Sequence, residues 1–279
     1  MSRVEIRPLA TRPAQRSAEN KATTDDTPLP SGSLASDQIA LSSTGVKDAR
    51  GFGRFLENQN KNGVTNGCGT TSLAMTLSFW TGTPGAYTRE RIDNTIRRFN
   101  LASSPQNIVD YAESQGFRAS AMNNANLEDL RAFLDKGVPV QVMYDPDGDG
   151  SDATLHYVVV TDYESNEKGA LTALKIADPW GGIEAVVPVD TFNERWDQLG
   201  LYGRSTGINN LMIPLLPESN VPIRGKDGVI RDADDISLPA KSNLDWRVGV
   251  ADKLFDAANA LDQVNDAAKA TFKKLWPFS

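Results

Sequence analysis

The chain has 279 residues, a formal net charge of −7 at pH 7 and a pI near 4.9. This acidic balance argues against nucleic acid as a partner, because neutralising phosphates requires a basic patch. No apolar run approaches the roughly 18 residues of a membrane-spanning helix, so no transmembrane segment is predicted. With 39% hydrophobic and 23% charged residues, most of the chain is expected to fold as a soluble globule.

Residues 1–48 are rich in Ser, Thr, Ala, Pro and Asp and almost lack aromatic side chains. Such a segment cannot bury enough apolar surface to offset its loss of conformational entropy, so it is predicted to be disordered. Its arginines are not followed by an apolar stretch, which argues against a Sec signal peptide. The segment is compatible with a cytoplasmic protein and equally with export by a signal-peptide-independent route.

Residues 49–217 predict one α+β domain, because helix-like segments come first and strand-like segments follow. The first helix begins with Cys68 after a glycine-flanked turn, and it is predicted to be amphipathic and largely buried. Further helices are predicted at 89–99, 105–116, 126–136 and 191–199. Strands are predicted at 138–144, 156–163, 171–177, 183–189 and 210–216. Asn126 and Gly137 are expected to cap the two ends of the fourth helix.

Two segments follow the predicted domain. Residues 218–244 contain Pro, Asp and Gly and are interpreted as a linker. Residues 245–277 repeat apolar side chains at spacings of three and four, which predicts a long amphipathic helix. Its polar face is near neutral, whereas a membrane-surface helix is typically basic, so we expect it to dock on its own domain or on a partner protein.

The chain has a single cysteine, Cys68, and a single histidine, His156. Cys68 begins the first predicted helix, and His156 opens a predicted buried strand. Asp178 comes directly after the next predicted strand, so the order along the chain is Cys, His, Asp. A lone cysteine is usually a small buried hydrophobe. Here the order of the three residues favours a catalytic triad instead.

A thiol becomes a good nucleophile only when it is deprotonated. The positive end of the helix dipole and an imidazolium at His156 would both lower the pKa of the Cys68 thiol. Asp178 would accept a hydrogen bond from the other ring nitrogen and orient the imidazole. The flanking glycines leave the Cys68 amide free as an oxyanion donor.

A second oxyanion donor is expected just upstream of the nucleophile. Gln59, nine residues before Cys68, is the preferred candidate. Other amide side chains in the same loop are alternatives: Asn58, Asn60, Asn62 and Asn66. Pro179 would stiffen the chain beside Asp178. Trp180 and Trp196 are interpreted as core or wall residues rather than substrate contacts, with Trp180 placed to shield the imidazole–carboxylate pair.

At these residues the sequence resembles the C39-like, double-glycine-peptidase-like branch of the papain-fold cysteine peptidases. The matching blocks are CGTTSLAM at 68–75, HYVVVT at 156–161 and ADPWGG at 177–182, with a looser match, FNERW, at 192–196. The resemblance covers about residues 52–216. It implies a papain-like α+β fold in which a helical part carries the cysteine and an antiparallel sheet carries the histidine and the aspartate.

The resemblance also implies a function, a cysteine peptidase that hydrolyses peptide bonds through an acyl-thioester on Cys68. Family members often have Cys-Gly-Pro where this chain has Thr70 in place of the proline. The family further suggests a bacterial protein, and an exported effector is compatible with the chain. The expected partner is a peptide or protein substrate, and the triad requires no cofactor.

Two alternatives stay open at this point. The same thioester would also support amidase, deamidase, transglutaminase or acyltransferase chemistry, because the acceptor is selected by the shape of the pocket. The other alternative is a catalytically silent binding module that recruits its partner through the C-terminal helix.

A calcium-binding loop is a further hypothesis. Asp145, Asp147 and Asp149 alternate before Gly150, as in the first half of a calcium loop with oxygen ligands at positions 1, 3 and 5. The bidentate glutamate expected at position 12 is missing, because His156 stands there. The competing interpretation is a solvated acidic turn. In either case the loop lies close to His156 in sequence and would favour basic substrates.

Overall fold

The computed structural model describes residues 45–61, 67–96, 103–146, 155–197, 200–201, 204–205 and 208–239. The predicted C-terminal helix at 245–277 and all but the last four residues of the predicted disordered segment lie outside these ranges. None of the described helices is both long and apolar enough to span a membrane.

Most of the described helices come before most of the described strands along the chain. A short 3₁₀ helix covers Ala49–Phe55, and the α-helices are α1 (Cys68–Thr81), α2 (Arg89–Ile96), α3 (Pro105–Ser114), α4 (Leu127–Asp135) and α5 (Val189–Trp196). The strands are β1 (Phe117–Ala119), β2 (Val140–Tyr144), β3 (His156–Ser165), β4 (Leu171–Asp178), β5 (Ile183–Pro188), β6 (Gly200–Leu201), β7 (Arg204–Ser205), β8 (Met212–Pro217), β9 (Pro222–Arg224) and β10 (Ile230–Asp232).

The main sheet has the strand order β1-β8-β2-β3-β4-β5, and all of its described pairs are antiparallel. The predicted α+β class, with a helical part followed by an antiparallel sheet, is therefore confirmed, and the arrangement is consistent with a papain-like fold. β8 is late in sequence yet lies between β1 and β2. β1 is too short to produce a recognisable alternating pattern, and the sequence analysis did not predict it.

Helix α1 packs against both neighbouring helices and the sheet. It contacts the 3₁₀ helix, α2 and α3 as well as β2 and β3, and every residue from Gly69 to Thr81 is buried. Burying its larger side chains, such as Leu73 and Leu77, contributes about 1.5–3 kcal/mol each. The expected burial of α1 is confirmed.

The amphipathic character predicted for α1 is wrong. Its polar positions are buried because their hydroxyls donate to backbone carbonyls: Ser72 to Tyr157 at 3.2 Å, Thr76 to Ser72 at 2.9 Å and Ser78 to Tyr87 at 3.2 Å. A hydroxyl that is satisfied in this way no longer needs a solvent-facing side of the helix.

Helix α4 has the ends that its sequence predicts. The Asn126 side chain accepts hydrogen bonds from the amides of Glu128 and Asp129, and the Asp129 carboxylate accepts one from the Asn126 amide, which completes a capping box. At the other end Gly137 follows the C-cap residue with φ +81°. This turn leads directly into β2.

The segment predicted as a linker is, over its described part, packed onto the domain. Residues 222–224 and 230–232 form a two-stranded antiparallel hairpin, and the side chains of Val221, Ile223 and Ala233 are fully buried. A bridge between Lys47 and Ile223 joins the hairpin to the chain just before the 3₁₀ helix. The Pro, Asp and Gly content that suggested a linker reflects the tight turns of a hairpin instead.

Replacing Gly137 with Ala should destabilise the protein more than replacing Gly116 with Ala. Both glycines follow a helix at nearly the same φ, +81° and +80°, so both variants carry the same left-handed penalty of about 1–2 kcal/mol. A Cβ at Gly137 would overlap the carbonyl of Arg224 in β9, whereas a Cβ at Gly116 would meet nothing within 4 Å. In urea unfolding we expect the Gly137 variant to lose about 1–3 kcal/mol more. Equal losses would show that β9 does not pack on this turn.

Candidate active site

Cys68 is the first residue of α1, and its side chain is partly exposed. Gly67 is the N-cap and Gly69 the second helical residue. A Cβ at Gly69 would lie 2.9 Å from Cβ of Ser103 and 3.0 Å from Cδ2 of Tyr157, so no side chain fits there. The nucleophile candidate is therefore held where the start of α1 packs closely against the first strand residues of β3.

His156 and Asp178 lie at the same end of the sheet because β3 begins where its antiparallel neighbour β4 ends. His156 Nε2 is 2.7 Å from Asp178 Oδ1, and their side chains are 9% and 17% exposed. The same Asp178 oxygen accepts the backbone amide of Trp180 at 2.8 Å. With Nε2 engaged by the carboxylate, Nδ1 is the ring nitrogen left to hydrogen-bond with Cys68.

These contacts shift the pKa values of all three groups. Burial alone would lower the pKa of His156, but its hydrogen bonds to Asp178 and Cys68 and their negative charges raise it to about 9. Burial alone would raise the pKa of the Cys68 thiol, but His156 and the backbone amides of Tyr157 and Gly69 bring it below its usual value. Burial alone would raise the pKa of Asp178, but its hydrogen bond to His156 outweighs this effect and lowers the pKa. Near pH 7 these directions favour a thiolate beside an imidazolium.

Gln59 lies in the loop between the 3₁₀ helix and α1, and it is 1% exposed. Its backbone amide donates to the Pro179 carbonyl at 2.7 Å, and its own carbonyl accepts a hydrogen bond from Arg89. The side-chain Oε1 is buried and has no hydrogen-bond partner among the described residues. The Gln59 amide group is thus not fully engaged by the part of the protein that the structure describes.

The alternative amide donors differ from Gln59 in their surroundings. Asn58 and Asn60 are exposed, and the Asn60 amide donates to the Trp180 carbonyl at 2.6 Å. Asn62 and Asn66 lie outside the described residues. Gln59 is the buried member of this set within the described part of the loop.

The two tryptophans near the motifs have different environments. Trp196 is fully buried, and its indole nitrogen donates to the Leu211 carbonyl at 2.9 Å, so it is a core residue. Trp180 is 52% exposed, and its ring stands edge-on to His156 with centroids 6.3 Å apart and an interplanar angle of 83°. Trp180 therefore forms a wall beside the imidazole.

Two residues beside the site were not predicted from the sequence. Tyr144 pairs with His156 across the β2–β3 ladder, and the two ring centroids are 6.0 Å apart. Burial, followed by the charge of Asp178, raises the pKa of Tyr144, so its hydroxyl stays protonated near neutral pH. Gln141 is fully buried, and its Nε2 donates to the Gly69 carbonyl at 3.2 Å. Both contacts depend on strand register, for which the sequence carries no local signal.

The calcium hypothesis is not tested by the described residues. Asp147 and Asp149 lie outside them, and Asp145 is buried with its backbone amide bonded to the Arg195 carbonyl at 2.9 Å. Within the described ranges no group of three His, Cys, Asp or Glu side chains could hold a metal ion. A calcium ion held by Asp145, Asp147 and Asp149 stays a prediction.

The described side chains fit the general pattern of covalent catalysis, in which a nucleophile lies beside a base that a third group orients. Comparison with known families agrees with this class. The chain belongs to the Peptidase C39 like family, whose sequence model matches residues 55–203, slightly more than half of the chain. The resemblance inferred from the three sequence blocks is therefore confirmed.

Several solved structures are similar to this chain at low identity. The peptidase domain of Streptococcus ComA, a bifunctional ABC transporter involved in a quorum-sensing pathway, is 18% identical with a TM-score of 0.43, over 59% of this chain and 98% of that one. A protein from Bacillus anthracis described as a C39-like peptidase is 16% identical with a TM-score of 0.45, over 60% and 96%. A double glycine motif protease from an AMS/PCAT transporter, in complex with the leader peptide, is 17% identical with a TM-score of 0.36, over 54% and 84%. No curated protein matches the chain.

Nuclear magnetic resonance of the imidazole should give a His156 pKa of about 9 in the wild-type protein. The chain has one histidine, so the signal belongs to that residue alone. Asp178→Asn should lower this pKa toward the ordinary value of about 6.5, because the hydrogen-bonded carboxylate favours the imidazolium. Asp110→Asn, which removes an exposed carboxylate of α3, should leave the pKa unchanged. A wild-type pKa near 6.5 would contradict the ion pair.

Proposed function

We propose that this protein is a cysteine peptidase in which Cys68 is the nucleophile, His156 transfers protons and Asp178 orients the imidazole. The observation that carries this proposal is the 2.7 Å contact between His156 and Asp178 beside a thiol whose pKa is lowered. Membership of the Peptidase C39 like family supports the same reaction class.

Acylation would begin from the thiolate–imidazolium pair. The Cys68 sulfur attacks the carbonyl carbon of the scissile peptide bond and forms a tetrahedral intermediate with a negative oxygen. His156 then donates its Nδ1 proton to the leaving nitrogen, the C–N bond breaks, and a thioester stays on Cys68. Asp178 keeps its hydrogen bond to Nε2 throughout and so stabilises the charged imidazole.

Deacylation reverses the role of the imidazole. Neutral His156 accepts a proton from water at Nδ1 while the water oxygen attacks the thioester carbonyl. Collapse of the second tetrahedral intermediate releases the carboxylic acid product and restores the thiolate–imidazolium pair. The net reaction consumes one water per peptide bond.

Two amides are proposed to stabilise the negative oxygen of both intermediates. Cys68 opens α1, so its backbone N–H belongs to the first helical turn and has no partner within the helix. The Gln59 side chain is the proposed second donor through its Nε2, supported by its burial in the loop just before Cys68. Donors that are fixed before the reaction stabilise developing charge without reorganisation.

A peptide library made from a whole-proteome digest tests this function. The wild-type protein should generate new chain ends, with ¹⁸O from labelled water in the new carboxylates, and Cys68→Ala should generate none.

Adding methylamine to the same assay distinguishes the alternative reactions. Glutamine methylamidation or deamidation without chain cleavage would replace peptidase by transglutaminase or deamidase chemistry. No Cys68-dependent product of any kind would support a silent binding module.

Alkylation of Cys68 by iodoacetamide should stay faster below about pH 8.5 than alkylation of an ordinary thiol, because the pKa of the Cys68 thiol is lowered. In His156→Ala the rate should fall and rise again only near pH 8.5, the value of an ordinary thiol, because the imidazolium is lost. The single cysteine makes the label specific. A slow rate that rises only near pH 8.5 in both proteins would contradict the proposed nucleophile.

Gln59→Ala should lower kcat/KM for a peptide substrate by about 100- to 1000-fold, as expected for loss of one oxyanion donor. Its iodoacetamide alkylation rate should match the wild type, since alkylation develops no oxyanion. Asn60→Ala serves as the matched loop variant, and its kcat/KM should stay within about threefold of wild type. A larger loss of kcat/KM in Asn60→Ala than in Gln59→Ala would assign the second oxyanion donor to Asn60.

A further inference from the structure

Arg89 is a buried cation beside the site, and the proposed mechanism gives it no role. It opens α2, and its side chain is 5% exposed. A buried charge is tolerated only when it is paired and hydrogen-bonded. Arg89 Nε lies 3.0 Å from Asp93 Oδ2 one turn along the helix, and Arg89 Nη1 donates to the Gln59 carbonyl.

The same side chain also touches the residue just before the nucleophile. A Cβ built on Gly67 would lie 2.8 Å from Arg89 Cδ, 3.1 Å from Nε and 3.2 Å from Cζ. Gly67 has φ −90° and ψ 9°, a conformation open to other residues, so the reason for glycine here is space and not backbone strain. One guanidinium is thus packed between the loop that carries Gln59 and the turn that carries Cys68.

The backbone of Gln59 is held from two directions. Its carbonyl accepts from Arg89, and its amide donates at 2.7 Å to Pro179, the residue after Asp178. The Arg89 backbone amide also bonds to the Glu57 carboxylate, two residues earlier in the same loop. Burial, followed by the charge of Glu90, raises the pKa of Glu57 to about 7, while Lys61 and Arg89 act in the opposite direction. Arg89 therefore contacts this loop at two points.

We propose that Arg89 is a positioning residue that fixes the Gln59 loop against Gly67, so that the Gln59 and Cys68 amides converge on one oxyanion. This inference rests on the proposed function. Arg89 acts through Gln59 and does not contact the substrate. The planar guanidinium suits the task because Nε and Nη1 reach two acceptors at once, whereas a lysine ammonium is a single charged point.

The test compares two reactions of Cys68 in the full-length protein. Acylation by p-nitrophenyl acetate passes through an oxyanion, and alkylation by iodoacetamide does not. Arg89→Lys should slow acylation by about 10- to 100-fold, as a displaced catalytic group does, with the alkylation rate unchanged. Arg91→Lys is the matched variant on the same helix. Arg91 is exposed and lies over the Tyr87 ring, and its replacement should change neither reaction.

A double-mutant cycle separates positioning from general loss of structure. In a Gln59→Ala background, Arg89→Lys should slow acylation no further, because the group that it positions is gone. Gly67→Ala disturbs the same contact without changing Arg89, because the added methyl group would displace the guanidinium. It should reproduce the acylation loss of Arg89→Lys, while Gly51→Ala, whose Cβ would meet nothing within 4 Å, should not.

The outcomes distinguish this inference from the proposed function. The positioning role would be overturned if Arg89→Lys acylated at the wild-type rate. It would also be overturned if the acylation losses of Arg89→Lys and Gln59→Ala multiplied in the double variant. Either result would leave the peptidase proposal intact. Absence of Cys68-dependent p-nitrophenol release from the wild-type protein would overturn the proposed function itself. A parallel loss of alkylation in Arg89→Lys would assign Arg89 a purely structural role and so overturn the inference.

Discussion

The burial of helix α1 on all sides is the constraint on which the rest of the structure depends. The helix contacts α2, α3, β2 and β3, and no residue from Gly69 to Thr81 is exposed. Close packing leaves such a helix no freedom to slide or rotate, because interiors have the density of organic crystals. Its first residue is Cys68. Packing that serves stability therefore also fixes the position of the thiol relative to the strand that carries His156.

Electrostatics in the site depend on partial burial. An imidazolium and a thiolate that are shielded from water are each costly alone, but each would stabilise the other, and Asp178 adds a hydrogen bond to the imidazole. Asp178 is itself held by the Trp180 amide, so the carboxylate need not move when the imidazole changes its charge. Low exposure strengthens every one of these hydrogen bonds. These contacts favour separated charges at Cys68 and His156 near neutral pH.

The sequence predicted the helices and strands whose signals are local. Capping residues such as Asn126 and long β-branched runs are signals that span only a few residues. The structure has helices and strands where these signals predict them. Features that depend on distant segments were missed. The contacts of Tyr144 and Gln141 require strand register, and Arg89 meets Gln59 across 30 positions of sequence. The polar residues of α1 led to a wrong prediction for a related reason, since Ser72 and Ser78 donate to carbonyls outside the helix.

The position of β8 in the sheet has a consequence for how the protein folds. β1 and β2 do not pair with each other, and both pair with β8, whose carbonyl at Leu215 also accepts the indole hydrogen bond of Trp80 in α1. Neither the sheet nor the packing around α1 is complete until residues 212–217 have been synthesised and inserted. Contacts over such sequence separations make folding slow, because the chain loses entropy before it gains them. A nascent chain would therefore expose its thiol without an ordered imidazole beside it. The proposed catalytic arrangement would form as one of the last events in the maturation of the domain.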